Sequence, residues 1–141
     1  MKNPLRHIIK LVDRWAAQKV VRVALFGHGL AASEWESLMT TPYLRAQPRI
    51  QLVDHPSEAD VLAIHGPLNS MNWTALVEWV ESARPSASLL AVGLEIELTD
   101  GGHVVGPQGC VSTFRVHSHL PGHPPTPNDL QQAVTCVVAH V

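Results

Sequence analysis

The apolar positions of the chain fall into two periods. Leu5, Ile8, Ile9, Val12, Trp15 and Ala16 recur at helical spacing, with Arg6, Lys10 and Arg14 on other faces, so residues 4–19 are predicted as an amphipathic helix opened by Pro4. Val20 to Phe26 is a β-branched, mostly apolar run that stops at Gly27-His28-Gly29, the pattern of a strand and a tight turn. Residues 31–41 suit a helix, and Pro42 and Pro48 punctuate the stretch after it. A second strand is predicted at Arg49 to Val53, a short helical turn or loop at Pro56 to Ala59, and a buried central strand at Asp60 to Ile64, ahead of Gly66-Pro67. Trp73, Leu76, Val77 and Val80 mark a helix over 72–82 with Asn72 as its cap, and Ala87 to Val92 a fourth strand closed by Gly93. Residues 100–125 are rich in Gly, Pro and His and show little regularity. Thr126-Pro127 then opens a last helix, with Leu130, Ala133, Val134, Val137 and Val138 as its buried stripe.

Strands and helices in this alternation predict an α/β fold, a flavodoxin-like, doubly wound, mainly parallel four-stranded sheet in the order 2-1-3-4 with helices on both faces. Ligands of such sheets sit beyond the carboxyl ends of the strands. In this chain those loops are residues 27–33, 65–71 and 93–102.

Composition narrows the reading. The 141 residues suit one compact domain, and with 45% hydrophobic and 16% charged residues a disordered or polyelectrolyte chain is excluded. Only seven residues are Phe, Trp or Tyr, so Val, Leu, Ile and Ala must fill the core. The net charge of −2 hides an asymmetry: residues 1–22 hold six of the ten basic residues against one acid, and the remaining 119 hold four against eleven. A basic amphipathic lead on an acidic body argues for docking and against nucleic-acid binding. Two cysteines, Cys110 and Cys136, set no disulfide framework, so a reducing compartment is expected. Charges interrupt the first fifteen residues too often for a signal peptide, and no window is long and apolar enough to span a bilayer. The expected location is cytoplasmic, or the cytoplasmic face of something larger.

Candidate chemistry centres on histidine. There are nine; His28 and His65 follow the first and third strands, while His103, His117, His119 and His123 lie in the C-terminal connection, with Glu34, Glu95 and Glu97 in or near the same loops. Imidazoles and carboxylates at one crevice mouth suit metal binding or proton transfer, whereas the plainer reading, favoured without an HExxH-type signature, is of solvated loop residues. A dinucleotide loop is weakly matched: Ala32 stands at the third glycine position after Gly27-His28-Gly29, with Asp54 further on. No spacing builds a nucleophile triad around Cys110, and Cys136, among valines of the last helix, is expected in the core.

Three phrases carry a family resemblance: His55 to Asn72 (HPSEADVLAIHGPLNSMN), Ser88 to Gly93 (SLLAVG), and Leu120 to Val134 (LPGHPPTPNDLQQAV). In collinear order they resemble the small electron-transfer subunit shared by respiratory complex I, its 20 kDa subunit, and membrane-bound NiFe hydrogenases. The resemblance covers residues 21–141 and leaves residues 1–20 as a basic N-terminal helix. It implies a flavodoxin-like domain with one 4Fe–4S cluster at the carboxyl ends of its strands, passing electrons toward a large subunit.

The cluster positions, however, are changed. The family's CxxCxxE motif falls on His28, Ala31 and Glu34, its third ligand near Leu94 or Glu95, and the cysteine of its PGCPP phrase on His123. A cluster of this kind takes four thiolate ligands, so the resemblance implies a degenerate site from which the 4Fe–4S group is lost. The leading expectation is a structural subunit, not catalytic alone, of a membrane-associated complex I-like or hydrogenase-like oxidoreductase or ion-translocating assembly. It would dock a large subunit and membrane subunits at the inner face of the cell membrane. The alternative is a zinc- or iron-binding module in which His28, His123 and Glu95 form a mononuclear site. Glu34 matches the family's glutamate implicated in proton transfer, while a solvated or capping role is equally simple.

Overall fold

The computed structural model describes residues 20–27, 35–36, 49–93, 96–120 and 127–139. The basic helix expected over 4–19, and with it the division at residue 20, lies outside them. Of the helix expected over 31–41 only Trp35 and Glu36 are described, and they are helical. In chain order the strands are β1 (Val20–Phe26), β2 (Arg49–Val53), β3 (Val61–His65), β4 (Ser88–Val92), β5 (Glu97–Leu98), β6 (His103–Val105), β7 (Val111–Arg115) and β8 (Ser118–Leu120). The helices are α1 (Trp73–Glu81) and α2 (Pro127–Ala139).

Five strands pair in parallel in the order β2-β1-β3-β4-β8. The expected 2-1-3-4 order is present, and β8 adds a fifth strand to the four expected. Parallel strands leave both sheet faces to be covered, which is why β3 and β4 are buried at every residue and read as unbroken apolar runs. Side chains alternate between two cores. On one face Val21, Val23, Val61, Ala63, Leu90 and Val92 pack with Trp35 and with Leu130, Val134 and Val137 of α2. On the other, Ala24, Leu62, Ile64, Leu89 and Ala91 pack with Leu76 of α1 and with Ile96 and Val104. This is a doubly wound α/β domain.

The described part of the Gly-, Pro- and His-rich stretch, residues 100–120, is more regular than its composition suggests. An antiparallel sheet in the order β5-β6-β7 lies on the α1 side, with Phe114 and Val116 packed into the second core. The buried residue of β7 is Ser112, whose hydroxyl accepts from the Val104 N–H at 2.9 Å and donates to the Phe114 carbonyl at 2.8 Å. A satisfied serine at an inward position hides the apolar alternation by which a strand is recognised. β8, with the sequence Ser-His-Leu, has no apolar run either.

Cys136 is a correction: it is exposed, not in the core. Leu130, Ala133, Val134 and Val137 form the buried stripe as expected, and at 100° per residue Cys136 stands about 110° around the helix from its centre. Being among valines in sequence did not place it among them in space.

At the amino end of the sheet Asp60 ties three strands together. Its carboxylate accepts from the Arg22 N–H at 2.9 Å, its backbone exchanges bonds with Arg22 and Ser88, and Arg84 reaches it at 2.8 Å. The Arg84 pair is half exposed, so its contribution is under about 1 kcal/mol. The opposite end is left to loops.

Candidate functional site

The carboxyl ends of β1, β3, β4 and β8 bring together Gly27, His65, Gly93 and Leu120. Gly27 has φ +121°, and a methyl group added to it would lie 2.5 Å from the His65 carbonyl oxygen, so only glycine fits this close crossing. The Gly93 N–H donates to the Leu120 carbonyl at 2.7 Å, closing β8 onto the end of β4. His119 lies on β8 and its Nε2–H donates to the Gly93 carbonyl at 3.0 Å.

Among the described residues His65 is the most enclosed ionisable group, with 6% of its surface exposed. Its Nε2 accepts from the Trp35 indole N–H at 3.1 Å, and its Nδ1–H donates to the Phe26 carbonyl at 3.2 Å. Burial lowers its pKa below the ordinary 6.5, and hydrogen bonds to the Phe26 and Ala63 carbonyls pull the other way. With both nitrogens engaged, His65 is a packed neutral imidazole.

The loop from β3 to α1 begins with a cis Gly66-Pro67 bond and is braced by two asparagines. The Asn69 side-chain oxygen accepts from the Met71 and Asn72 N–H groups at 2.9 and 3.1 Å. The Asn72 side chain accepts from the Asn69 N–H at 2.8 Å and donates to the Pro67 carbonyl at 3.0 Å. These short-range bonds give the turn a fixed shape. It holds Met71 outward, 91% exposed. Asn72, expected as a helix cap through its side chain, braces this loop instead and makes no side-chain cap bond to α1.

Among the described residues the histidines do not converge as a set. His65 and His119 reach the carboxyl end. His103 lies in the small sheet with Nδ1–H bonded to the Ser112 carbonyl at 2.9 Å. His117 sits at the amino half of β4, accepting from the Leu89 N–H at 2.9 Å. Glu97 is exposed on β5. Among the described residues no group of three or more His, Cys, Asp or Glu is placed to hold a metal ion. His28, Ala31, Glu34, Leu94, Glu95 and His123 lie outside the described residues.

The thiols can be tested against a 4Fe–4S group. The chain has two cysteines. Cys110 stands just before β7 and Cys136 on the outer side of α2, both exposed. Two thiols on separate elements do not fit a cluster that takes four. The Trp35–His65 bond and the asparagine brace were missed by sequence reasoning. The one signal for the first was a histidine ending the most hydrophobic strand.

No family model and no curated protein matches the chain. Among solved structures it is similar to a chain of the membrane-bound sulfane sulfur reductase, an archaeal respiratory membrane complex, with 18% identity and a TM-score of 0.59. The match covers 92% of this chain and 73% of that one. At this identity the likeness is one of fold, extending over nearly the whole of the present chain.

Proposed function

We propose that the chain is a structural subunit of a membrane-associated, complex I-like or hydrogenase-like respiratory assembly, without an iron–sulfur cluster of its own. The carboxyl end of its sheet faces a large-subunit partner. The observation that carries this reading is that 92% of the chain follows the fold of a chain from a respiratory membrane complex. The donor set supports the cluster-less part of it: histidine, alanine and glutamate or leucine stand where the resemblance asks for thiolates, and the two real thiols are elsewhere.

A peripheral position at the inner face of the membrane accords with two further features. No helix among the described residues is long and apolar enough to cross a membrane. The basic lead over residues 1–22 supplies charge attractive to anionic headgroups. The test is strictly anaerobic purification of the chain with its native partners, followed by iron and sulfide analysis on the isolated subunit. The expected result is a large-subunit partner in stoichiometric amount and no iron or acid-labile sulfide on this chain. A partnerless monomer overturns the subunit role, and four irons per chain overturn the loss of the cluster.

A further inference from the structure

Met71, in the β3–α1 loop, has 91% of its surface exposed, against 43% for Val20 and 53% for Val111, the other exposed large apolar side chains among the described residues. The loop is built to keep it there. Leu68 before it and Trp73 after it pack into the second core, and Gly106 lies against the Trp73 ring. Between these two anchors the side chains of Asn69 and Asn72 make four hydrogen bonds to the turn, and the Asn69 carbonyl accepts from the Trp73 N–H at 3.0 Å.

Charge gives an independent observation. Between Asp60 and Glu78 the chain has no Asp, Glu, Lys or Arg, so the exposed residues of the loop and of the first turn of α1 are all uncharged: Pro67, Asn69, Ser70, Met71, Thr74 and Ala75. The amino end of the sheet instead carries Arg22, Asp60 and Arg84. Depletion of charge around an exposed methionine is the composition of the core of a protein–protein interface.

We propose that Met71 is a preset anchor that inserts into an apolar socket on the large-subunit partner, with Asn69 and Ser70 at its polar rim. This contact rests on the subunit role proposed above. A loop already held in shape loses little conformational freedom on docking, so burial of the methionine appears as affinity. A membrane surface is a poorer match. One methionine buries less hydrocarbon than a single myristoyl chain, which holds a protein to a bilayer only marginally, and the loop has no lysine or arginine for anionic headgroups. In hydrocarbon Asn69 and Ser70 would also lack polar partners, which the backbone of a protein socket supplies.

Rebinding of the full chain to the immobilised large subunit, recovered from the wild-type complex, tests the anchor. Met71→Asp, which brings a carboxylate to the socket, is expected to weaken binding at least about tenfold. Met71→Leu, of similar volume, should stay within about threefold of wild type. Ser86→Asp places the same charge at an exposed position just before β4 and should leave binding unchanged. Equal binding by Met71→Asp and wild type overturns the anchor and leaves the subunit role standing. A wild-type chain that recovers no large subunit overturns both. Protein-free vesicles of phosphatidylglycerol and phosphatidylethanolamine, and gel filtration of the chain alone, are run beside these. Met71-dependent binding to the vesicles assigns the residue to the membrane, Met71-dependent self-association assigns it to a second copy, and either overturns the socket.

Discussion

Gly106 lies flat against the indole of Trp73: a methyl group at Gly106 would sit 2.7 Å from the ring carbons. Through this approach the turn after β6 seats the antiparallel sheet on the first turn of α1. Gly106 is not in a left-handed conformation, so contact alone dictates its identity. Gly106→Ala is expected to destabilise the fold by about 1–3 kcal/mol, the usual cost of overpacking. Urea unfolding checks it.

Two glycines at the carboxyl end separate contact from conformation. Both Gly27 and Gly93 have positive φ, but a methyl group at Gly93 meets nothing within 4 Å, whereas at Gly27 it strikes the His65 backbone. Gly93→Ala should cost about 1 kcal/mol of backbone strain, and Gly27→Ala that strain plus about 1–3 kcal/mol for the clash. Equal midpoints for the two variants in thermal unfolding would contradict the close crossing of β1 and β3.

Among the described residues, His65 makes stability depend on pH. Its pKa is lowered in the folded protein, so as pH falls the unfolded chain binds the proton first. Its contribution is complete above 6.5 and is lost progressively below that value. At pH 5.5 the wild type should have lost up to about 1.4 kcal/mol more, relative to pH 7.5, than His65→Gln, one decade of linkage. Urea titrations at the two pH values measure the difference.

Helices α1 and α2 give a paired test of burial. Leu76, fully buried on α1, should cost about 2–5 kcal/mol when replaced by Ala. Cys136→Ser, on the exposed side of α2, should stay within about 0.5 kcal/mol of wild type.

The contrast between Leu76 and Cys136 also marks what the sequence made legible. Strands β1 to β4 and helix α1 stand where periodicity put them, because a parallel sheet buried on both faces leaves long apolar runs. The small sheet and β8 were illegible for the opposite reason. Ser112 fills a core position through two hydrogen bonds, and His119 and Leu120 join the main sheet through backbone pairing that side-chain pattern does not record. At the site, histidine and glycine at the strand ends were visible. That His65 turns inward to Trp35 was not, since the two are thirty positions apart and joined by one bond.

The subunit role rests on the carboxyl end of the sheet meeting a large subunit, and Met71 is the exposed point from which to ask. A photo-reactive amino acid at position 71, irradiated in native membranes, should cross-link to a complex I-like or hydrogenase-like large subunit, while the same group at exposed Ser86, at the amino end just before β4, should not. Cross-linking from position 86 but not 71, or the absence of any such partner at both, would contradict the account.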